Sequence, residues 1–288
     1  YILEGGGVVY GAAFDGKQRL QHIACFRKED LWRLRGAKYV QSDLGSTFRE
    51  IRTVLEQQRT VLFSGTPCQV DGLYRYLGKR PENLITCDLV CHGVPSPGVW
   101  EDMARSIERR HHKSLQAVRF RNKVTDWKNS HFTAVYDDGT VDTAPLLSTE
   151  YGRAFGRALF LRQSCYRCPY TSMTRPGDFT LGDFWGLRPD ELTEQQEQGV
   201  SLLMVNTPQG SHLFDQLPLR KQVFPPERAI AGNPRLASPT RLPADRAAFF
   251  AAYALEDFET VRKQFFKLPA LPVRAAAKLL SPEVKASI

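Results

Sequence analysis

Four cysteines in three sequence contexts carry the clearest potential for chemistry in this chain. Cys68 lies in Ser-Gly-Thr-Pro-Cys-Gln, Cys91 lies in Val-Cys-His-Gly, and Cys165 and Cys168 form a Cys-x-x-Cys pair that proline follows. A two-residue spacer lets both sulfur atoms face one metal, and four thiolates complete either an iron–sulfur cluster or a zinc site. Iron and zinc both accept tetrahedral thiolate sets. The spacing is therefore compatible with three alternatives, namely an iron–sulfur cluster, a structural zinc site, or cysteines that bind no metal.

The other two cysteines have a different environment. Cys25 and Cys87 lie in strand-like stretches, where a free cysteine behaves as a small hydrophobic residue, so we predict that both are buried in the core. Six cysteines in a chain of 288 residues favour metal binding or catalysis over a disulfide framework. This usage predicts a reducing compartment, the cytoplasm.

The local sequence pattern predicts how two of the cysteines meet. Residues 61–63 and 84–90 have the composition of buried strands, with a helix over 68–77 between them, which is typical of a βαβ unit with parallel strands. Cys68 follows the end of the first strand, and Cys91 follows the end of the second. Since open α/β sheets bind ligands at the carboxyl ends of their strands, we expect both cysteines on that rim.

The rest of the chain predicts an α/β fold with a mixed, largely parallel sheet, flanking helices, an inserted antiparallel strand section and C-terminal helices. We divide it into an α/β domain over residues 1–220, which contains the four cysteines, and an extension over residues 221–288 with a helical stretch at 246–266 and a basic tail. The further strands are predicted at 8–14, 117–122, 131–136, 141–144, 179–186 and 200–206, and the further helices at 46–58 and 151–161.

Composition narrows the function classes. Apolar residues make up 42% and charged residues 24%, as in ordinary globular proteins, and no apolar run approaches the ~20 residues of a membrane span. The net charge of +8 is spread along the chain rather than gathered in a stripe, which argues against nucleic-acid binding. The basic cluster at 109–113 is either a solvated helix end or a docking point for an acidic electron carrier. The sequence is compatible with a monomer or an oligomer.

Three further motifs have both a structural and a functional interpretation. Ser64, Gly65 and Thr66 connect a strand to a helix, where backbone N–H groups could hold a cofactor phosphate, although an ordinary tight turn is the alternative. His92 follows Cys91 and is either a proton relay or a structurally hydrogen-bonded histidine. Asp183, in Gly-Asp-Phe-Trp-Gly, belongs either to the wall of a flat aromatic cofactor's pocket or to a bulged core strand. His92 and Asp183 are the candidate catalytic residues.

Taken together, these motifs resemble the coenzyme F420 hydrogenase/dehydrogenase beta-subunit family over nearly the whole chain. The stretches that carry the resemblance occur in the family's order. They are residues 64–69 (SGTPCQ), 88–96 (DLVCHGVPS), 164–168 (SCYRC) and 180–186 (TLGDFWG), with further similarity at 35–42 and 199–202.

The resemblance implies an iron–sulfur flavoprotein oxidoreductase with FAD and a [4Fe–4S] cluster. It implies that Cys68, Cys91, Cys165 and Cys168 bind the cluster, and that electrons pass between ferredoxin-like clusters and a hydride carrier such as F420 or a small-molecule substrate. We place flavin contacts at Tyr10, Gly11, Lys38, Tyr39, Ser64, Gly65 and Thr66, with Asp183 as a further contact.

One departure from the family concerns the electron donor. Many members begin with a ferredoxin-like segment that has its own cysteine run, which is absent from this sequence. We therefore expect either a separate ferredoxin-like donor or such a segment upstream of Tyr1. Two rival functions stay open, namely an electron-transfer subunit without a substrate of its own and a zinc-stapled binding module that is not an enzyme.

Overall fold

A six-stranded sheet forms the centre of the computed structural model, which describes residues 1–124, 127–191 and 199–267. Four neighbouring strands are parallel, and the two edge strands run antiparallel to them. This arrangement confirms the predicted mixed, largely parallel sheet of an α/β fold. In spatial order the strands are β2 (Leu20–Cys25), β1 (Val8–Phe14), β3 (Val61–Ser64), β4 (Leu84–Leu89), β8 (Phe179–Asp183) and β9 (Ser201–Val205).

Two helices cover one face of this sheet, α1 (Thr47–Glu56) and α2 (Pro67–Leu77). Ile51 and Leu55 of α1 are one turn apart and pack against the sheet, as helical spacing requires. Helix α2 begins with a proline, whose fixed φ suits the first helical position, and ends at Gly78 with a left-handed φ of 68°. Strand β3, helix α2 and strand β4 thus form the predicted βαβ unit.

The described residues cover the opposite face of the sheet only in part. The 3-10 helix Lys28–Leu34, α5 (Pro208–Gln216) and α6 (Pro226–Gly232) lie on this side. Between them runs a cavity of about 2020 Å³, which we call the trough. Its floor consists of side chains from the sheet, namely Val9, Leu62, Ile85, Phe179 and Leu203.

A second sheet of three antiparallel strands confirms the predicted insertion. It comprises β5 (Leu115–Asn122), β6 (His131–Tyr136) and β7 (Val141–Pro145). The strands share one aromatic-rich core with four helices, and Trp100, Phe120, Phe160 and Phe249 are among its fully buried aromatic members. These helices are α3 (Pro97–His111), α4 (Glu150–Gly156), α7 (Arg246–Leu255) and α8 (Phe258–Phe265).

Three details differ from the sequence prediction. The helix expected over 151–161 ends at Gly156, because the chain takes a left-handed turn at Ala158 (φ 59°) and then pairs as an extended segment with residues 94–96. The amphipathic stretch at 246–266 is two helices, and Asp257 caps the second with its carboxylate. Strand β2 and helices α3, α5 and α6 were not predicted.

The C-terminal helices α7 and α8 pack into the same core as α3 and β5. The predicted basic tail falls in residues 268–288, outside the described part of the chain, and the domain division at residue 220 stays a prediction. Within the described residues, no helix has both the length and the apolar character needed to cross a membrane.

Candidate metal centre

All four predicted cysteines lie at the carboxyl rim of the central sheet. Cys68 is in the first turn of α2, directly after β3, and Cys91 follows the end of β4. Cys165 lies in a short 3-10 helix (Gln163–Arg167), and Cys168 comes directly after it. All four are free thiols, with Cys68 exposed and the other three partly buried. Cys25 and Cys87 are buried in the core, as predicted.

Each of the four rim thiols lies within electrostatic range of the other three. Burial raises the pKa of Cys91 to about 12, and the charges of Cys165, Cys68 and Cys168 act in the same direction. The pKa values of Cys165 and Cys168 are also raised, first by burial and then by the neighbouring thiolates. Such thiols ionise together only when a cation replaces their protons, so this donor set fits a metal centre.

The arrangement of the thiols bears on which metal centre they fit. Among residues 1–124, 127–191 and 199–267, no three or more His, Cys, Asp or Glu side chains are arranged to hold a metal ion as they stand. Zinc–sulfur bonds of ~2.3 Å require sulfur atoms about 3.8 Å apart. A [4Fe–4S] cluster takes one thiolate at each of four iron atoms.

Backbone pairing aligns the Cys91 loop with the Cys165 loop. The N–H of Arg162 donates to the Val94 carbonyl at 2.9 Å, and the N–H of Val94 donates to the Cys165 sulfur at 3.5 Å. Gly93 makes this approach possible, since it has a φ of 127° and a Cβ there would lie 2.7 Å from Leu161 Cδ1. The hydrogen bond from the Gly93 backbone also favours ionisation of Cys91.

Arg246, the first residue of α7, anchors the same loop from outside. Its guanidinium donates to the Leu161 carbonyl at 3.0 Å and to the Tyr166 hydroxyl at 3.2 Å, and it lies over the Tyr166 ring. Sequence analysis did not find this residue, because it lies 78 positions beyond Cys168 in an element with no cysteine pattern.

His92 lies beside the cysteines with one ring nitrogen free. Its ring meets Phe155 edge-on at 5.1 Å, and its buried Nε2 atom has no hydrogen-bond partner. Burial lowers its pKa, and the charge of Arg235 acts in the same direction. The imidazole is therefore neutral, with an unused polar atom next to the rim cysteines.

Asp183 and Tyr39 are brought together by a residue that the sequence did not reveal. Arg121 of β5 pairs with the Asp183 carboxylate at the end of β8, and it also shares a hydrogen bond with the Tyr39 hydroxyl. Tyr39 stacks on Phe155 at 4.3 Å, the same ring that His92 contacts. The second sheet thus contributes an arginine to the rim of the first.

The other predicted flavin contacts lie on opposite faces of the central sheet, with Lys38 and Gly11 toward the trough and Tyr10 on the covered face. Lys38 donates to the carbonyls of residues 34, 35 and 36 at 3.0–3.2 Å, and burial lowers its pKa to about 8. Gly11 lies against Leu34, and both border the side of the sheet that carries the trough. Tyr10 is only 1% exposed and packs beneath α1 and α2, so its ring is not available to a ligand.

The turn at residues 64–66 lies at the cysteine rim. The N–H of Gly65 donates to the Cys87 carbonyl at 3.1 Å, and Ser64 is the last residue of β3. The N–H of Thr66 donates to Gln69 at 2.9 Å, and its hydroxyl lies 3.2 Å from the Cys68 sulfur. This turn therefore adjoins Cys68 at the rim of the sheet.

The trough has a marked charge bias. Its described lining includes five basic residues, Lys28, Arg35, Arg175, Arg220 and Lys221, and no Asp or Glu. Two of these charges are paired with carboxylates next to the trough, Lys28 with Glu4 and Arg175 with Asp88. Lys38 contributes indirectly, because it fixes the backbone around Arg35. An apolar floor with basic walls suits a ligand that combines a flat apolar part with negative charge.

Comparisons with known proteins identify the family. None of the curated proteins is significantly similar to this chain. Among solved structures, a chain in the xenon-derivatised F420-reducing [NiFe] hydrogenase complex from Methanosarcina barkeri is similar at 18% identity and a TM-score of 0.47, covering 75% of this chain and 68% of that one. Residues 58–223 match the family described as the C-terminal region of the coenzyme F420 hydrogenase/dehydrogenase beta subunit. This segment contains the βαβ unit and all four rim cysteines, so the chain belongs to that family of electron-transfer oxidoreductases.

Proposed function

We propose that this chain is a flavin-dependent oxidoreductase that binds a [4Fe–4S] cluster through Cys68, Cys91, Cys165 and Cys168 and carries FAD beside it. The observation that carries the proposal is the meeting of four free thiols, every pair in electrostatic contact, at the rim where open α/β sheets bind ligands. When bound, the two groups supply the conversion between one-electron transfer and two-electron hydride transfer.

The residues of the chain have defined roles in this proposal. Cys68 lies in the first turn of α2, where the helix dipole favours negative charge. Thr66 places a hydroxyl beside that sulfur. His92 and Asp183 are our candidates for proton transfer to a bound substrate, since they lie on either side of Tyr39, Phe155 and Arg121.

We assign the flavin to the trough and the adjoining rim. The trough is about twice the ~1,000 Å³ upper limit of common small-ligand pockets, so it accommodates a dinucleotide and a second molecule. Its basic lining favours the diphosphate of FAD. None of the predicted flavin contacts lines the trough itself. Gly11 lies beside it against Leu34, Lys38 holds the backbone around Arg35, Tyr39 and the turn at residues 64–66 lie toward the rim, and Tyr10 packs on the opposite face of the sheet.

The partners follow from this assignment. We propose a ferredoxin-like electron donor and a hydride carrier of the F420 type or a small organic substrate. The family is one of beta subunits, which supports the further idea that this chain works within a larger assembly. The second candidate function, an electron-transfer subunit with no substrate of its own, has the same site and differs only in where the hydride step occurs.

Anaerobic purification with iron, sulfide and flavin quantification tests the proposal. We expect about four iron atoms and one FAD per chain, and a visible spectrum that dithionite bleaches. Replacing any rim cysteine with serine should abolish cluster binding, whereas Cys25→Ala should retain it because Cys25 lies in the core. A colourless protein that contains zinc would contradict the proposal.

Activity separates the two candidate functions. The isolated chain is supplied with reduced viologen as the electron source and with F420 or organic acceptors. Turnover identifies an enzyme complete in itself. A protein with intact cluster and flavin but no turnover is the subunit that transfers electrons to a partner.

A further inference from the structure

A fully buried ion pair joins the Cys168 loop to the strand that leads to Cys91. Asp88 lies in β4, three residues before Cys91, and Arg175 lies seven residues after Cys168. Their side chains are 0% and 1% exposed, and Arg175 Nη2 and Nε lie 2.6 and 3.1 Å from one Asp88 oxygen. The other Asp88 oxygen accepts from the N–H of Gly177 at 3.0 Å.

The remaining donors of Arg175 reach both segments at once. Nη1 donates to the Tyr170 carbonyl at 2.5 Å, in the loop just past Cys168. Nη2 donates to the Leu89 carbonyl at 2.8 Å, at the end of β4. A planar guanidinium is the only side chain that provides donors in these several directions, and lysine offers a single point of charge.

A second contact joins the same loop to the Cys68 helix. The Tyr170 hydroxyl donates to the Asp71 carboxylate at 2.7 Å, and Asp71 lies on α2 three residues after Cys68. Tyr170 is therefore held by Arg175 at its backbone and by Asp71 at its side chain. Through these two contacts, all three cysteine-bearing segments are fixed to one another.

The location of the ion pair argues for more than stability. A buried ion pair gains little over an apolar pair of the same size, because both charges lose their hydration. Arg175 also lies in the lining of the trough, and its charge acts on the thiol of Cys168. Its contacts link the trough, the Cys91 strand and the Cys168 loop.

We propose that Arg175 is a positioning residue that holds the Cys91 and Cys168 segments in register for cluster binding and sets the charge next to the cluster. The hydrogen bond between Tyr170 and Asp71 connects the Cys68 helix to the same network. The inference rests on the proposed [4Fe–4S] centre. It concerns residues that support the thiols and take no part in ligation.

The first experiment measures cluster binding. We compare iron retention against a chelator for the wild type, Arg175→Lys and Tyr170→Phe. The control is Arg228→Lys, because Arg228 also donates to a carboxylate, that of Glu191, but at a more exposed position on a different element. Loss of a supporting contact at a metal site lowers affinity by about 10- to 100-fold, so we expect at least a tenfold faster loss of iron in Arg175→Lys. Tyr170→Phe should lose iron faster than wild type by a smaller factor, and the control should not change.

The second experiment measures the midpoint potential of the cluster by redox titration followed by electron paramagnetic resonance. Arg175→Gln leaves the Asp88 charge uncompensated, so reduction becomes harder and the potential falls. Asp88→Asn leaves the guanidinium uncompensated, so the potential rises. Opposite shifts in two variants are a signature that a purely structural role does not produce.

The outcomes distinguish this inference from the proposed function. If the wild type binds no iron, the proposed function is wrong and the inference falls with it. If the wild type binds a cluster while iron retention in Arg175→Lys and Tyr170→Phe is unchanged, the inference alone is overturned. Because Tyr170→Phe removes one hydroxyl from a partly exposed residue, it tests the contacts between the cysteine-bearing segments even where a variant at the buried pair does not fold.

Discussion

His22 is a buried titratable residue whose chemistry is independent of the cysteines. Its ring stacks on Phe63 at 5.2 Å, and Nε2 lies 3.1 Å from the Ser64 carbonyl, while Nδ1 has no partner. The side chain is 8% exposed, and burial lowers its pKa to about 4. The folded protein therefore takes up this proton at a lower pH than the unfolded chain does.

This difference predicts a pH window for stability. Above pH ~6.5 the histidine is neutral in both states, and as the pH falls from 6.5 toward 4 the unfolded chain is protonated first. We expect the free energy of unfolding to fall by about 2–3 kcal/mol across this window. Urea unfolding of wild type and His22→Gln at pH 7 and 4.5 measures it, since the variant lacks this contribution.

The control for this prediction is His112→Gln, because His112 is exposed. Its variant should follow the wild-type pH profile. An identical pH dependence in wild type and His22→Gln would show that His22 does not titrate in this window.

Gly93 offers a second prediction at the level of a single residue. In Gly93→Ala, the new methyl group meets Leu161 and the Cys165 side chain at a φ that L-residues rarely adopt. We expect a loss of about 1–3 kcal/mol in stability and a reduced iron content, because the Cys91 and Cys165 loops are forced apart. Thermal denaturation and iron analysis measure the two effects.

Gly139 provides the matched control, since it also has a positive φ but open space around its Cα. Gly139→Ala should cost some stability and leave the iron content unchanged. Equal iron content in both variants would mean that the close approach at Gly93 does not position the cysteines.

At the scale of elements, the sequence predicts the βαβ unit but not the supports around it. Short apolar runs and a Gly-Thr-Pro turn define β3, α2 and β4 locally, and parallel pairing then places Cys68 and Cys91 on one rim. The Cys165 loop depends on pairing between residues 160–162 and 94–96, which are more than 60 positions apart. No local periodicity encodes such a pairing, so the sequence pattern predicts a helix that extends to residue 161, five residues beyond its actual end.

The same reasoning explains the missing arginines. Arg121, Arg175 and Arg246 all contact the site from separate elements, and each pairs with residues 62 or more positions away. Arginine is common on protein surfaces, so its type alone gives no signal. Only the folded arrangement separates these three from the other basic residues.

Helix α7 gives a prediction at this scale. Arg246→Ala removes two hydrogen bonds to the Cys165 loop, and we expect a loss of about 1–2 kcal/mol in stability and faster release of iron to a chelator. Arg241→Ala, at an exposed position just before the helix, is the control. If both variants release iron at the wild-type rate, α7 has no part in holding the loop.

At the scale of the whole molecule, the two faces of the central sheet differ in how they are covered. One face is sealed by α1 and α2, whereas the other retains a trough of about 2020 Å³ with an apolar floor. A sheet buries its apolar face against another layer, so a face that the described residues leave open along four parallel strands supports the flavin site proposed above. Sequence patterns predict strands and helices, but the open part of this face among the described residues becomes visible only when all of them are assembled.

This asymmetry leads to a direct test of where the flavin binds. Leu62 lies in the middle of the trough floor and is only partly buried, so Leu62→Trp fills open space instead of disrupting a packed core. We expect FAD affinity to fall at least about tenfold, since loss of contacts worth about 1.4 kcal/mol already has that effect. Titration of the flavin-free protein with FAD, followed by fluorescence, measures the affinity.

Val141→Trp, on the exposed strand β7 of the second sheet, adds the same ring away from the trough and should bind FAD as wild type does. Unchanged affinity in Leu62→Trp would place the flavin at the cysteine rim alone, above the trough.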